Sequence, residues 1–303
     1  MVPVSVSPLV RRIVLLTLGV GVASGCGDVN AQLEQLSHAR QLSADLLVQF
    51  VKASDAANRA VMADTDPTSV AFAQEAQQAK RAVGLDVDAL RPILDGLHYT
   101  VEAGILQEFV GRFAAYDALD RQVLDLAVEN SNLKAQRLSF GPAQEAADAF
   151  AEALRAATSS VQEKDAWRAK ALVATAVAAV REIQALQAPH IAEPDDTAMA
   201  RLEKRMTASE AEARGALDAL AKIVSPGSQP RLAAGRAALD QFMKVHADIL
   251  ALSHRNTNVR SLALSLTEKP ALVTACEERL HALNDALARR GFGMARFNKQ
   301  VAK

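Results

Sequence analysis

Four asparagines form the most suggestive chemical pattern in this 303-residue chain. Asn130 and Asn132 bracket Ser131, and Asn256 and Asn258 bracket Thr257 in a second, similar segment. Phe109, Phe113, Tyr116, Val123, Leu126, Asn130, Leu133 and Arg137 follow the three-and-four spacing of a helical packing seam, with a gap near Asp120. Phe242, Val245, Ile249, Leu252, Asn256, Val259 and Ala263 form its counterpart. Asn130 and Asn256 thus stand where an apolar residue is expected. A buried amide needs hydrogen-bond partners, so each either fixes helix register or floors a small-ligand site. In both cases leucine should be accepted there with stability held or raised. Asn132 and Asn258 point to the other side of the helix and are expected to cap or bridge a neighbouring helix or dimer mate. All four are carried forward as candidate ligand-binding residues.

Other reactive side chains point to less. Glu278-x-x-His281 has the spacing of a di-iron bundle motif, but such a centre needs a second copy and facing glutamates, and no other Glu-x-x-His occurs. Glu277, His281 and Asp285 share a face at four-residue steps and read as a salt-bridged surface. His98, His190, His246 and His254 are scattered and read as loop or surface residues, so no metal centre is expected. Nor is a cofactor: Cys-x-x-Cys-His, a phosphate loop, a dinucleotide fingerprint and a nucleophile elbow are all missing, and the chain does not read as an enzyme. A net charge of −1 from interspersed charges leaves no basic stripe for nucleic acid.

The N-terminus has its own character. Arg11 and Arg12 precede an uncharged apolar run, Ile13 to Ala23, which ends in Ala23-Ser24-Gly25 before Cys26. This is the layout of a secretory signal peptide over residues 1–25, and it resembles a bacterial lipobox with Ala23 in place of the usual leucine. Cys26 is then the lipidation site, and the mature chain lies on the periplasmic side of a bacterial membrane. Gly27 after the cysteine, rather than aspartate, favours the outer membrane. An uncleaved N-terminal anchor is the alternative, although Leu9 to Val22, even extended to Gly25, is short for a span and interrupted by Arg11 and Arg12. No second hydrophobic stretch is expected downstream.

The elements that must carry these residues are helices. Half the chain is hydrophobic but only 4% is aromatic, so the apolar content is Ala, Leu and Val, which favours helices with thin seams. Prolines and capping residues divide it near Thr65-Asp66-Pro67, Asp95-Gly96, Ser139-Phe140-Gly141-Pro142, Pro189 to Pro194, Ser225-Pro226-Gly227 and Lys269-Pro270. The segment Val123 to Leu133 aligns with Ile249 to Val259, and Tyr116, Leu138 and Ser139 align with Phe242, Leu264 and Ser265. The third helix is expected near 98–138 in the first copy and 230–265 in the second. The expected fold is all-α: two tandem four-helix bundles, residues 26–160 and 161–303, stacked end to end through a shared long helix. A hinge near Ser159-Ser160 is the alternative to that shared helix. Trp167, near the junction of the copies, is expected to anchor packing.

Leu126 to Ser139, Leu252 to Ser265, and the second-helix entries at Asp64-Thr65-Asp66 and His190 to Asp196 resemble the extracytoplasmic four-helix-bundle sensor module of methyl-accepting chemotaxis receptors. The resemblance covers most of the mature chain, twice, through short motifs. It implies a tethered, sensor-like module that binds a small molecule or a membrane receptor partner, possesses no signalling domain of its own, and pairs as a homodimer. A structural or adaptor lipoprotein forming a protein-interaction rod is the reading from a different class.

Overall fold

The computed structural model describes residues 23–301, and the side-chain surroundings of residues 30–290. The expected signal peptide therefore lies almost wholly outside the described residues, and so do the surroundings of Cys26. The chain is all-α, with no strand among the described residues. In order, the helices are α1 (Ala23–Met62), α2 (Asp66–Gly96), α3 (Thr100–Glu129), α4 (Ser131–Leu138), α5 (Gln144–Thr158), α6 (Glu163–Ala192), α7 (Asp196–Ala221), α8 (Gln229–Arg255), α9 (Thr257–Thr267) and α10 (Lys269–Val301). A π-helical turn, Ser139–Ala143, joins α4 to α5.

Three local outcomes differ from expectation, each for a stated reason. Pro142 does not start a new helix. Its missing N–H is absorbed by the wider π turn, so the chain stays helical from Ser131 to Thr158. The shared long helix is absent, because the chain turns between Thr158 and Glu163, where the hinge alternative lay. The turn folds α6 back on α5, pairing Arg181 with Asp148 and Gln184 with Gln144. The third helix of each copy is also broken, at Asn130 and at Asn256. Both residues are left-handed, with φ of 52° and 53°, a region that asparagine enters more readily than other side-chain-bearing residues.

The contacts divide the chain into two compact units that do not follow the expected boundary at 160/161. Among the described residues, one unit comprises 23–57, 74–120 and 268–301, and the other 58–73 and 121–267. Unit one therefore holds most of α1 to α3 together with α10, and unit two holds α6 to α8 together with α4 and α5. In terms of the repeat, unit one joins most of the first copy's three opening helices to α10, and unit two joins α6 to α8 to α5, with α4, α9 and the adjoining ends of α1, α2 and α3.

In unit one, Leu46, Phe50, Val83, Leu90, Leu106, Phe109 and Tyr116 pack with Leu280, Leu283 and Leu287 of α10. Phe50 meets Phe109, Phe113 and Tyr116 edge-on, with ring centroids 5.1–6.2 Å apart. Arg290 forms a double hydrogen bond to Glu102, and Arg40 reaches the Leu287 carbonyl at 3.1 Å, which fastens α10 to α3 and α1. Cys276 is buried here as a free thiol, and burial pushes its pKa up to about 12.

In unit two, Phe150, Leu154, Val180, Ile183, Met206, Leu217, Leu239, Phe242 and Ile249 form the core. Gly235 on α8 lies where α5 approaches closely, and a Cβ there would sit 3.0 Å from Leu154 Cδ2, so that side chain would have to shift. Among the described residues α6 is the helix long and apolar enough, by length and composition alone, to cross a membrane. That apolarity departs from the expectation of no second hydrophobic stretch. Its Ala169, Ala176, Val180, Ile183 and Leu186 are buried in the core of unit two.

Candidate functional site

The helix breaks at Asn130 and Asn256 meet in unit two, and they meet reciprocally. A helix that starts afresh after a break presents its first N–H groups without intrahelical partners. Here each new helix supplies the other's caps. The Ser131 N–H donates to Thr257 Oγ1 and the Thr257 N–H to Ser131 Oγ, both at 3.0 Å. The Asn132 N–H donates to Asn258 Oδ1 at 3.1 Å, and the Asn258 N–H returns the bond to Asn132 Oδ1 at 3.0 Å. Asn132 Nδ2 donates to Asn256 Oδ1 and Asn258 Nδ2 to Asn130 Oδ1, both at 2.8 Å. Beside them Arg255 pairs with Glu129 at 2.8 Å. The backbone–cap pairs each link residues 126 apart, the offset of the sequence repeat.

All four sequence-predicted asparagines are therefore brought together; Asn132 and Asn258 cap a neighbouring helix, one of the roles expected of them, whereas Asn130 and Asn256 differ from expectation. Asn130 and Asn256 are helix breaks rather than seam residues. The left-handed residue shifts the helical phase, so the buried stripe continues as Ser131, Asn132, Ala135 and Ser139 while Arg137 turns outward to Asp66. Asn132 and Asn258 are the cross-caps. Their polar groups are occupied by one another and by two carbonyls: Asn132 Nδ2 also donates to Ile191 O, and Asn256 Nδ2 donates to Glu193 O. Asn130 Nδ2 is buried without a partner among the described residues. Ser131 and Thr257 were missed, although hydroxyls in one repeat register between paired asparagines were a visible signal.

Next to the junction runs a buried polar chain that no sequence pattern announced. His190 and His246 are buried, which corrects their reading as loop or surface residues; His98 and His254 are exposed. Ser139 Oγ donates to Gln187 Oε1 at 2.6 Å, and Gln187 Nε2 lies 3.3 Å from His246 Nδ1. Burial lowers the pKa of His246 to about 4, helped by the nearby His190, so it is neutral and accepts the Gln187 amide. His190 Nδ1 lies 2.8 Å from Ser253 Oγ, and His190 Nε2 lies 2.8 Å from Glu203 Oε1. The same carboxylate oxygen lies 2.7 Å from His254 Nε2. Burial raises the pKa of Glu203, but the His190 bond and the His254 charge outweigh it and hold the carboxyl below its usual range. The chain ends in exposed His254 and reaches the asparagines through Ile191 and Glu193.

Unit one has a polar centre of its own. Asp120, fully buried where the seam was interrupted, takes Lys80 at 2.8 Å and Lys269 at 3.0 Å, and Lys80 also meets Asp117 at 3.0 Å. Lys269 comes from α10, so this ionic cluster is completed by the helix of the other copy. Trp167 is 73% exposed and anchors no packing. It lies in sequence beside residues lining an open groove of about 540 Å³ between α5 and α6, formed by Arg155, Thr158, Val161, Lys170, Val173 and Val177 among others. None of the four asparagines lines that groove. Of the expected surface face, His281 and Asp285 are exposed and Glu277 is half-buried.

No family model, curated protein or solved structure matches this chain.

Proposed function

We propose that this chain is a sensor-like, ligand-binding helical-bundle protein tethered on the extracytoplasmic side of a membrane, with Cys26 as its lipid anchor. The observation that carries the reading is the reciprocal junction. A sensor needs an element with two arrangements whose balance a ligand can bias. Two left-handed helix breaks that cap each other through neutral hydrogen bonds form such an element, and a buried polar chain joins it to the surface. The four asparagines act as the responding joint in this reading, because most of their amide groups already bond one another or nearby carbonyls. The ligand then binds beside them.

The rod or adaptor reading draws on the same mutual bonding, since a joint whose halves cap each other also serves a static scaffold. Thermal-shift measurement of the full chain against small metabolites and metal ions separates the two. A sensor gains melting temperature with one ligand and changes amide-exchange rates at Ser131, Asn132, Thr257 and Asn258. A rod shows neither response, and that result would overturn the proposal.

A further inference from the structure

The geometry points to a divalent transition-metal site, of the zinc class, held by His190 Nε2, Glu203 Oε1 and His254 Nε2. It rests on the sensor reading for its purpose, though not for its chemistry. The three ligand atoms lie within 4.8 Å of one another, and they come from three helices: the last turn of α6, the body of α7 and the last turn of α8.

Hydrogen-bond accounting shows why a cation belongs there. The Ser253 hydroxyl has one proton and donates it to the His190 carbonyl at 2.9 Å. Ser253 Oγ, 2.8 Å from His190 Nδ1, is therefore the acceptor, and the imidazole proton sits on Nδ1. In the neutral ring Nε2 then presents a lone pair to a carboxylate oxygen at 2.8 Å. Two lone pairs at that distance repel unless a cation lies between them, either a proton or a metal. His254 Nε2 converges on the same oxygen at 2.7 Å, so a single ion can serve all three groups.

The surroundings have the form of a metal site. A ligating histidine characteristically donates its other ring N–H to a fixed acceptor, which sets tautomer and orientation; fully buried Ser253 does this for His190. Two imidazoles and a carboxylate suit Zn²⁺, Co²⁺ or Ni²⁺ rather than Ca²⁺ or Mg²⁺, which prefer oxygen. Bonds of about 2.0–2.2 Å would spread the donors slightly from their present spacing, and Glu203 and His254 are both partly exposed and free to adjust. The half-exposed edge at His254 leaves a fourth position for water or an incoming ligand. The site also touches the joint. Ile191, next to His190, accepts the Asn132 amide, and His254 stands two residues before the left-handed Asn256.

The test uses the untagged full chain, stripped with chelator and titrated with Zn²⁺, with Co²⁺ as the spectroscopic probe. The expected result is one Zn²⁺ per chain, visible Co²⁺ bands of low coordination number, and a higher melting temperature. His254→Ala, at an exposed position, should fold as wild type and lose stoichiometric binding. Ser253→Ala should weaken binding by roughly 10- to 100-fold, and His281→Ala, at an exposed site in unit one, should change nothing. Absence of Zn²⁺ binding, or binding that survives His254→Ala, overturns the site. A chain that is silent to Zn²⁺ but shifted by a metabolite loses the metal and keeps the sensor reading. A chain that binds Zn²⁺ with unchanged exchange at Ser131 and Thr257 keeps the site and loses its sensor role.

Discussion

At the scale of the residue, the left-handed asparagine reverses an expectation that side-chain chemistry alone supports. A seam asparagine that merely sets register tolerates leucine. Asn256 does not fit that description, because its backbone is left-handed and both ends of its amide are bonded. Leucine in that conformation costs roughly 1–2 kcal/mol, and the Glu193 carbonyl and Asn132 amide lose their partner for a further ~1–3 kcal/mol. Asn256→Leu is therefore expected to lower the free energy of unfolding in denaturant titrations by at least about 2 kcal/mol. Asn256→Gly keeps the backbone and should lose only the hydrogen-bond part, so equal losses in the two variants would contradict this account. Asp120 makes a sharper case. Asp120→Ala leaves the buried Lys80 and Lys269 without their shared carboxylate, and removing one partner of a buried ion pair costs about 3–5 kcal/mol. At the N-terminus, Cys26→Ser should abolish lipid labelling and leave unprocessed precursor; normal labelling would remove the anchor from the proposal.

At the scale of the element, the hairpin of α6 and α7 and the second half of α8 determine which polar residues end up dry. His246 is stacked on Phe242 and bonded to Gln187, and its pKa falls from 6.5 to about 4 on folding. Between those two values the unfolded chain binds the proton that the folded chain refuses, so stability rises with pH through this window and is lost as pH falls below about 6.5. The full excursion amounts to about 3 kcal/mol at 1.36 kcal/mol per pH unit. His246→Gln should flatten the dependence of melting temperature on pH between about 4 and 6.5. A variant with the wild-type slope would show that other groups carry it. Glu203 works in the same direction at lower pH. Its depressed carboxyl contributes stability above the ordinary carboxylate pKa, lost as pH falls through the folded value.

At the scale of the whole molecule, the sequence repeat and the compact units are different divisions of the chain. Removing residues 268–303 deletes the end of the second copy, but the helix it deletes closes unit one. The truncated chain should lose amide protection in α1 and α2 and in the first half of α3, where Phe50, Val83, Leu90 and Phe109 lean on Leu280, Leu283 and Leu287. Protection in α6 to α8 should persist, because their core is closed by Phe150 and Leu154 of α5. Loss confined to residues 161–267 would restore the bundles as the repeat alone draws them.

Helical class, the main breaks and the repeat were legible from the sequence because they depend on local quantities: apolar spacing, proline and cap positions, and self-similarity at a fixed offset. The importance of the four asparagines was legible for the same reason, since each pair interrupts an apolar pattern twice in one register. Their role was not. A left-handed backbone leaves no mark in composition, and mutual capping is a relation between segments 126 residues apart. Ser159-Ser160 could be named as a hinge, but whether the chain turned there depended on the free energy of packing α6 against α5 rather than on local propensity. The exchange of closing helices is equally non-local: the apolar spacing of α5 or α10 does not name the helices it covers, and only the three-dimensional path decides which set each one closes. His254 falls inside the repeated segment, opposite Val128 of the first copy, and no short motif groups it with His190 and Glu203. The three converge only because α6 and α7 form a hairpin and α8 packs beside it, so the cluster proposed to hold a metal was decided by tertiary structure alone.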